Sequence, residues 1–206
     1  MTRLLAIFAT LAVVLALAGV WIVTLSTGPE DQFTQCHTSQ IAGGSAQIGG
    51  PFTLIDKTGT EVTDTDVITE PSLIYFGYTF CPDVCPLDVA HNAEVTDVLQ
   101  ERGMSITPVF ISIDPQRDTP EVVGEFASVM HDKMIGLTGT PAQVKAASQA
   151  YRTYYKAQPA DDEYYLVDHS TFSYLVLPEH GFVEFFRRGV SSERMADTIQ
   201  CFVDQS

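Results

Sequence analysis

The sequence predicts an α/β sandwich with a central mixed sheet and extra hairpins, preceded by one N-terminal transmembrane helix. Three observations point there. Leu4 to Leu25 is an uncharged run of 22 residues, broken only by Thr10, Gly19 and Thr24. Past Pro51, short β-branched or aromatic runs alternate with amphipathic stretches, the pattern of parallel strands joined by right-handed helical crossovers. Two pairs of such runs are separated only by turn residues, which adds antiparallel hairpins.

The elements follow in order. As a helix, Leu4 to Leu25 is about 33 Å long, enough for a hydrocarbon core of roughly 30 Å. Trp21-Ile-Val-Thr-Leu25 offers no small-residue cleavage site, so the stretch reads as a retained anchor over residues 1–25. Arg3 precedes it and Glu30 and Asp31 follow, an asymmetry that places the remaining chain on the outer side of the cytoplasmic membrane, in a periplasm or its equivalent. Residues 26–50 are polar and Gly-rich with little to bury, and read as a flexible tether. The globular domain is expected over residues 51–206. Phe52 to Val62 forms a hairpin about Asp56-Lys-Thr-Gly59, and Ser72 to Gly77 a buried strand. Pro86 suits the first helical position, which makes Cys85 an N-cap and Cys81 to Val84 a short loop. Ile106 to Asp114 reads as a strand and Asp114 to Pro120 as a loop, after which Thr119 caps a helix to about His131. Gly136-Leu-Thr-Gly139 reads as a turn before a helix over Pro141 to Arg152. Thr171 to Leu177 and Phe182 to Arg187 form a second hairpin, and Ser191 to Val203 a closing helix with Met195, Ile199 and Phe202 on one face. This order fits a thioredoxin-like sandwich.

Net charge is −15 over 206 residues, and removing the apolar span with Arg3 takes it to −16. Such a surface repels nucleic acid and anionic lipid head groups, and attracts a basic partner face. There is no internal repeat and no Gly-rich phosphate loop.

Chemistry concentrates at Cys81-Pro-Asp-Val-Cys85-Pro86. Two thiols one helical turn apart, at a strand-to-helix junction, lie near the positive end of a helix dipole, which favours thiolate. Three intervening residues, where thiol oxidoreductases of this fold have two, leave the sulfurs free to chelate one ion without forbidding a disulfide. Two thiolates select Cu(I) or Zn(II) and accept an imidazole as third ligand. A structural disulfide is the alternative. Of the five histidines, His180 falls in a turn, His131 near a helix end, His91 on a helix face away from the sulfurs and His37 in the tether. His169 directly precedes a strand at a sheet end that loops can bring to the cysteines, with Asp168 beside it to hold the imidazole. Arg117 and Asp118 suit a local ion pair that stabilises the loop, with contact to a partner as the alternative. Tyr78 and Phe80 suit packing beside the thiols. Cys36 and Cys201 are left either as a bridge pinning tether to last helix or as a free thiol and a small buried hydrophobe, with a second metal contact at Cys36-His37 a lesser option.

Several separated motifs, in order, resemble the Sco/SenC copper chaperones. They are Pro51-Phe-Thr-Leu-Ile-Asp56, Leu73 through Pro86, Val109-Phe-Ile-Ser-Ile-Asp-Pro-Gln-Arg-Asp-Thr-Pro120, Gly136-Leu-Thr-Gly139 and Val167-Asp-His169-Ser170. The resemblance runs from about residue 48 to 203. It implies a thioredoxin-like domain anchored by one N-terminal helix that delivers copper to the binuclear copper centre of cytochrome c oxidase. It also implies Cys81, Cys85 and His169 as copper ligands, with Asp168 as the acidic neighbour of the ligand histidine. The partners implied are the copper-bearing oxidase subunit and another copper chaperone or a thiol reductant. The rival expectation is a thiol-disulfide oxidoreductase that reduces the oxidase subunit or other exported proteins. A thiol peroxidase and a redox or copper sensor are further alternatives, the latter weakened by the lack of a signalling domain.

Overall fold

The computed structural model describes residues 2–26, 32–39, 48–159 and 164–206, with side chains of 7–21 in the first helix. The chain divides into two compact units, Met1–Gln35 and Cys36–Ser206. The first holds α1 (Thr2–Ser26). Among the described residues no helix is long and apolar enough to cross a membrane. The span expected over Leu4 to Leu25 lies partly outside the described side chains, and most of the expected tether lies outside the described residues.

The second unit runs β1 (Thr53–Asp56), β2 (Glu61–Thr63), α2 (Asp64–Val67), β3 (Ser72–Gly77), α3 (Val84–Glu101), β4 (Thr107–Ser112), α4 (Pro120–Met130), β5 (Ile135–Thr138), α5 (Pro141–Ala150), β6 (Tyr155–Ala157), β7 (Val167–His169), β8 (Ser173–Leu177), β9 (Gly181–Phe186) and α6 (Ser192–Asp204). Seven strands form one sheet in the order β2-β1-β5-β4-β3-β8-β9. β3, β4 and β5 are mutually parallel, and the hairpins β1–β2 and β8–β9 flank them antiparallel. Every residue of β3 and β4 is buried, as expected for parallel strands covered on both faces.

Three local expectations need correction. Gly136-Leu-Thr138 is strand rather than turn, pairing with β4 on one side and β1 on the other. A Cβ at Gly136 would lie 2.5 Å from the Val123 carbonyl oxygen, so this glycine serves the close approach of α4 and not a bend. α3 begins at Val84 with Asp83 as N-cap, which puts Cys85 inside the first turn. Pro86 is still tolerated there, because no amide in the first turn has an intrahelical acceptor to lose. His169 is the last residue of β7, which pairs with β6 in a separate two-stranded sheet, Tyr155 opposite His169. These strands are only three residues each, too short to show a period of two.

Side-chain caps open three helices. Thr119 accepts from the Val122 N–H at α4, Thr140 from Gln143 at α5 and Ser191 from Arg194 at α6, each cap contributing about 1 kcal/mol. Met195, Ile199 and Phe202 of α6 are buried as their spacing predicts.

Cys36 and Cys201 form a disulfide across a sequence separation of 165. It holds the segment 36–39 beside β9. There the fully buried Glu184 accepts hydrogen bonds from the N–H groups of Thr38 and Ser39, the Ser39 hydroxyl and its neighbour's Phe185 N–H. A buried carboxylate is tolerated only when so satisfied.

Candidate metal centre

The site is built where β3 runs out. After Gly77 the chain turns through Tyr78-Thr79-Phe80, closed by the Cys81 N–H on the Tyr78 carbonyl at 3.3 Å. A Cβ on Gly77 would stand 3.1 Å from the Cys85 sulfur and 2.8 Å from the Tyr75 ring, so glycine makes the space that the thiol occupies. Asp118 anchors the turn from the loop after β4. Its buried carboxylate accepts from the Thr79 N–H at 3.0 Å, the Thr79 hydroxyl, and the Ser112 hydroxyl at 2.5 Å. Burial raises its pKa, and the hydrogen bonds from Ser112 and Thr79 oppose that rise.

Arg117 pairs with Asp114, Nε to Oδ2 at 2.5 Å, and not with Asp118 as the sequence suggests. Its guanidinium lies 3.7 Å from the Tyr165 ring centroid and 5.0 Å from that of Phe80. Tyr165 donates its hydroxyl to Asp114 at 2.6 Å. The loop after β4 is thereby joined both to the cysteine turn and to the segment leading into β7. The Val167 N–H donates to the Tyr78 hydroxyl at 3.2 Å, a further tie between the same pieces.

These ties deliver three donors to one point. Cys81, Cys85 and His169 place their ligand atoms within 4.8 Å of one another. His169 Nε2 is 3.2 Å from Cys85 Sγ. Its Nδ1 is 2.8 Å from the Ser170 carbonyl oxygen; a carbonyl only accepts, so Nδ1 carries the proton and Nε2 presents its lone pair to the sulfurs. The ring stands edge-to-face between Tyr75 and Tyr78, centroids 6.2 and 5.9 Å away. Asp168, expected to hold this imidazole, is exposed and accepts instead from Gln158 Nε2 at 2.8 Å. Alternation along β7 explains the difference, since adjacent side chains point to opposite faces.

The thiols are unequal. For Cys81 burial acts to raise the pKa, but hydrogen bonds from the N–H groups of Cys85, Asp83 and Val84 at the start of α3 outweigh it, and the net shift is downward. The Cys85 N–H to Cys81 Sγ distance is 3.4 Å. Cys85 is fully buried, and that burial pushes its pKa up. Burial also lowers the pKa of His169, which keeps the imidazole neutral and able to coordinate at pH 7. Both cysteines are free thiols.

Four residues behind this group escaped the sequence reading. Tyr75 donates to Asp88 Oδ2 at 2.9 Å, and Arg188 Nε donates to the other carboxylate oxygen at 2.6 Å. The fourth is Ser170, whose carbonyl sets the tautomer. Asp88 follows Cys85 by three residues, a helical neighbour spacing that could have flagged it. Nothing in the sequence pairs Arg188 with it. The other histidines lie elsewhere: His37 stands 3.7 Å from Glu184, His91 the same distance from Glu94, and His131 3.2 Å from Asp97.

The SCO1/SenC family model matches residues 41–204. Protein SenC of Rhodobacter capsulatus is 53% identical over 199 residues, covering 97% of this chain and 90% of its own. The mitochondrial SCO1 homolog 1 of Arabidopsis thaliana is 41% identical over 159 residues, 77% of this chain; the match spans only 48% of that longer protein. Among solved structures, copper-bound Arabidopsis thaliana ScoI superposes with a TM-score of 0.72 at 39% identity, covering 76% of this chain and 99% of that one. The thioredoxin-like sandwich with its mixed sheet is therefore the fold of that solved relative also. A clustered Cys-Cys-His group on this sheet, inside a match that takes in most of the chain, makes this protein a member of the SCO1/SenC family.

Proposed function

We propose that this protein carries copper as cargo, held by the Cys81 and Cys85 sulfurs and His169 Nε2, and delivers it to the copper-bearing subunit of cytochrome c oxidase. The observation that carries the reading is the convergence of these three donors within 4.8 Å from two separate segments. Two thiolates and a neutral imidazole suit Cu(I) and also accept Cu(II), whereas hard cations prefer oxygen. Copper is bound in the solved Arabidopsis relative. Three protein donors leave one side of the ion open, which is what transfer by ligand exchange with a partner's thiolates requires. Residues 1–25 anchor the protein in the cytoplasmic membrane, and the unit Cys36–Ser206, with residues 51–206 as its thioredoxin-like body, carries the copper site on the periplasmic side. Asp168 acts on the site through its charge alone, a minor influence on His169 beside burial.

The test is a Cu(I) titration of the reduced full chain in nonionic detergent against a competing chelator, beside Cys81→Ser, Cys85→Ser and His169→Ala. Tight one-to-one binding lost in both cysteine variants and weakened at least tenfold by His169→Ala, about 1.4 kcal/mol, is the expected outcome. Binding indifferent to all three would refute the reading.

The inequality of the thiols favours a second activity at the same site. Cys81 has the lowered pKa of an attacking thiolate, and Cys85 is a buried, protonated thiol beside it. Attack by Cys81 on a partner disulfide would form a mixed disulfide and release one partner thiolate. Cys85, on losing its proton, would then displace the second, leaving Cys81–Cys85 oxidised and the partner reduced. His169→Ala separates the two activities, since dithiol exchange survives it while copper binding is weakened.

A further inference from the structure

A cavity of about 590 Å³ lies where the end of β9, the following turn and the first turn of α6 meet the segment after Cys36. Arg187, Arg188 and Arg194 line it together with Thr38, Ser39 and Ser191, and no Asp or Glu is among its described lining residues. The whole chain has 11 Lys and Arg against 26 Asp and Glu. Three of its few cations therefore converge on one concavity that no carboxylate lines among the described residues, a local excess of positive charge on an acidic molecule.

Two of the three exposed guanidiniums have partners that orient them. Arg187 lies against the Phe172 and Phe185 rings, each centroid 5.4 Å away. Arg188 gives its Nε to Asp88, which balances that charge and leaves its terminal nitrogens outside the bond. Among the described residues, neither Arg187 nor Arg194 forms an ion pair. The nearby acids are otherwise engaged: Glu193 pairs with Arg102 at 2.5 Å, and Glu184, behind Thr38 and Ser39, is satisfied by the donors already named. Two uncompensated cations remain beside a third.

We propose that this cavity binds a phosphate group. Guanidinium forks pair bidentately with tetrahedral oxyanions, and three forks require more acceptor oxygens than one carboxylate offers. A phosphate monoester or inorganic phosphate carries a charge of about −1.5 to −2 at pH 7, matching the two unpaired cations. The phosphodiester of a lipid head group, with a single negative charge, shares the recognising chemistry, and the test separates the two sources. The inference stands apart from the copper reading and uses none of its ligands.

The test uses the full chain labelled with ¹⁵N-arginine, following the Nε–H signals of Arg187, Arg188 and Arg194. In nonionic micelles it is titrated with inorganic phosphate at constant ionic strength, with sodium chloride as control. In a second arm, nanodiscs of phosphatidylcholine are compared with nanodiscs containing phosphatidylglycerol. Saturable shifts with inorganic phosphate identify a soluble phosphate ligand, and shifts on adding phosphatidylglycerol identify a lipid head group. Either supports the proposal if Arg187→Gln/Arg194→Gln weakens the effect roughly tenfold while copper affinity is unchanged. Absence of shifts in both arms, or equal shifts with chloride, overturns it.

Discussion

Cys85 keeps its proton further into the alkaline range than an ordinary thiol because it is buried, and metal binding must expel that proton. Apparent Cu(I) affinity is therefore expected to rise about tenfold per pH unit for each proton released; competition titrations at a series of pH values would check the slope, and Cys85→Ser should reduce it. His169 has the opposite bearing on stability. Its folded pKa is depressed by burial below the ordinary 6.5, so the unfolded chain binds the proton more readily. The stability from keeping it neutral is present above pH 6.5 and is lost as pH falls through the depressed folded value. Denaturant melts of the apo protein should show this acid loss, and His169→Ala should flatten it. Arg117 is the other residue on which the site depends. Removing its side chain leaves Asp114, whose side chain is 5% exposed, without its cation, and Arg117→Ala is expected to cost about 3–5 kcal/mol in urea unfolding.

At the scale of elements, the site depends on how closely β3, α3 and β7 approach one another. Gly77 is the contact point, and Gly77→Ala would press a methyl against the Cys85 sulfur and the Tyr75 ring. We expect a loss of copper affinity with the fold retained, read by the same competition titration alongside circular dichroism. The disulfide joins the segment after α1 to α6. A loop of this length has a closure entropy of about 5 kcal/mol in the chain-entropy account, with measured bridges delivering roughly 2–5. Reduction, or Cys36→Ser, should lower the unfolding free energy by that amount and expose Glu184 by freeing Thr38 and Ser39. The thioredoxin-like order of strands and helices is legible in the sequence because long buried runs such as Ser72 to Gly77 and capped helices such as that opened by Thr119 declare themselves locally. β6 and β7 do not, because each is three residues long and exists only through the other.

Over the whole molecule, copper binding and folding are one linked equilibrium. If the ligand set forms only in the folded chain, Cu(I) at a thousandfold excess over its dissociation constant should raise stability by about 4 kcal/mol. The melting temperature should then climb with Cu(I) concentration in the native chain and barely move in the Cys81→Ser variant. The net charge of −15 is unevenly spread, with Arg187, Arg188 and Arg194 gathered at one cavity. The acidic balance that composition gives is a sum, and it carries no information about where the few cations gather.

Composition, spacing and order determined the α/β class, the mixed sheet and the two thiols at a strand-to-helix junction. Those features are local, and hydrophobic period and capping residues encode them directly. Only the tertiary structure decided that His169 Nε2 faces Cys85, that the Ser170 carbonyl and not Asp168 sets its tautomer, that Arg117 pairs with Asp114, and that Cys36 meets Cys201. Each of these joins residues through the alternation of a three-residue strand, the direction of a side chain in a turn, or a separation of up to 165 residues. Contacts of that kind are fixed by packing around the core, and no window along the chain contains them.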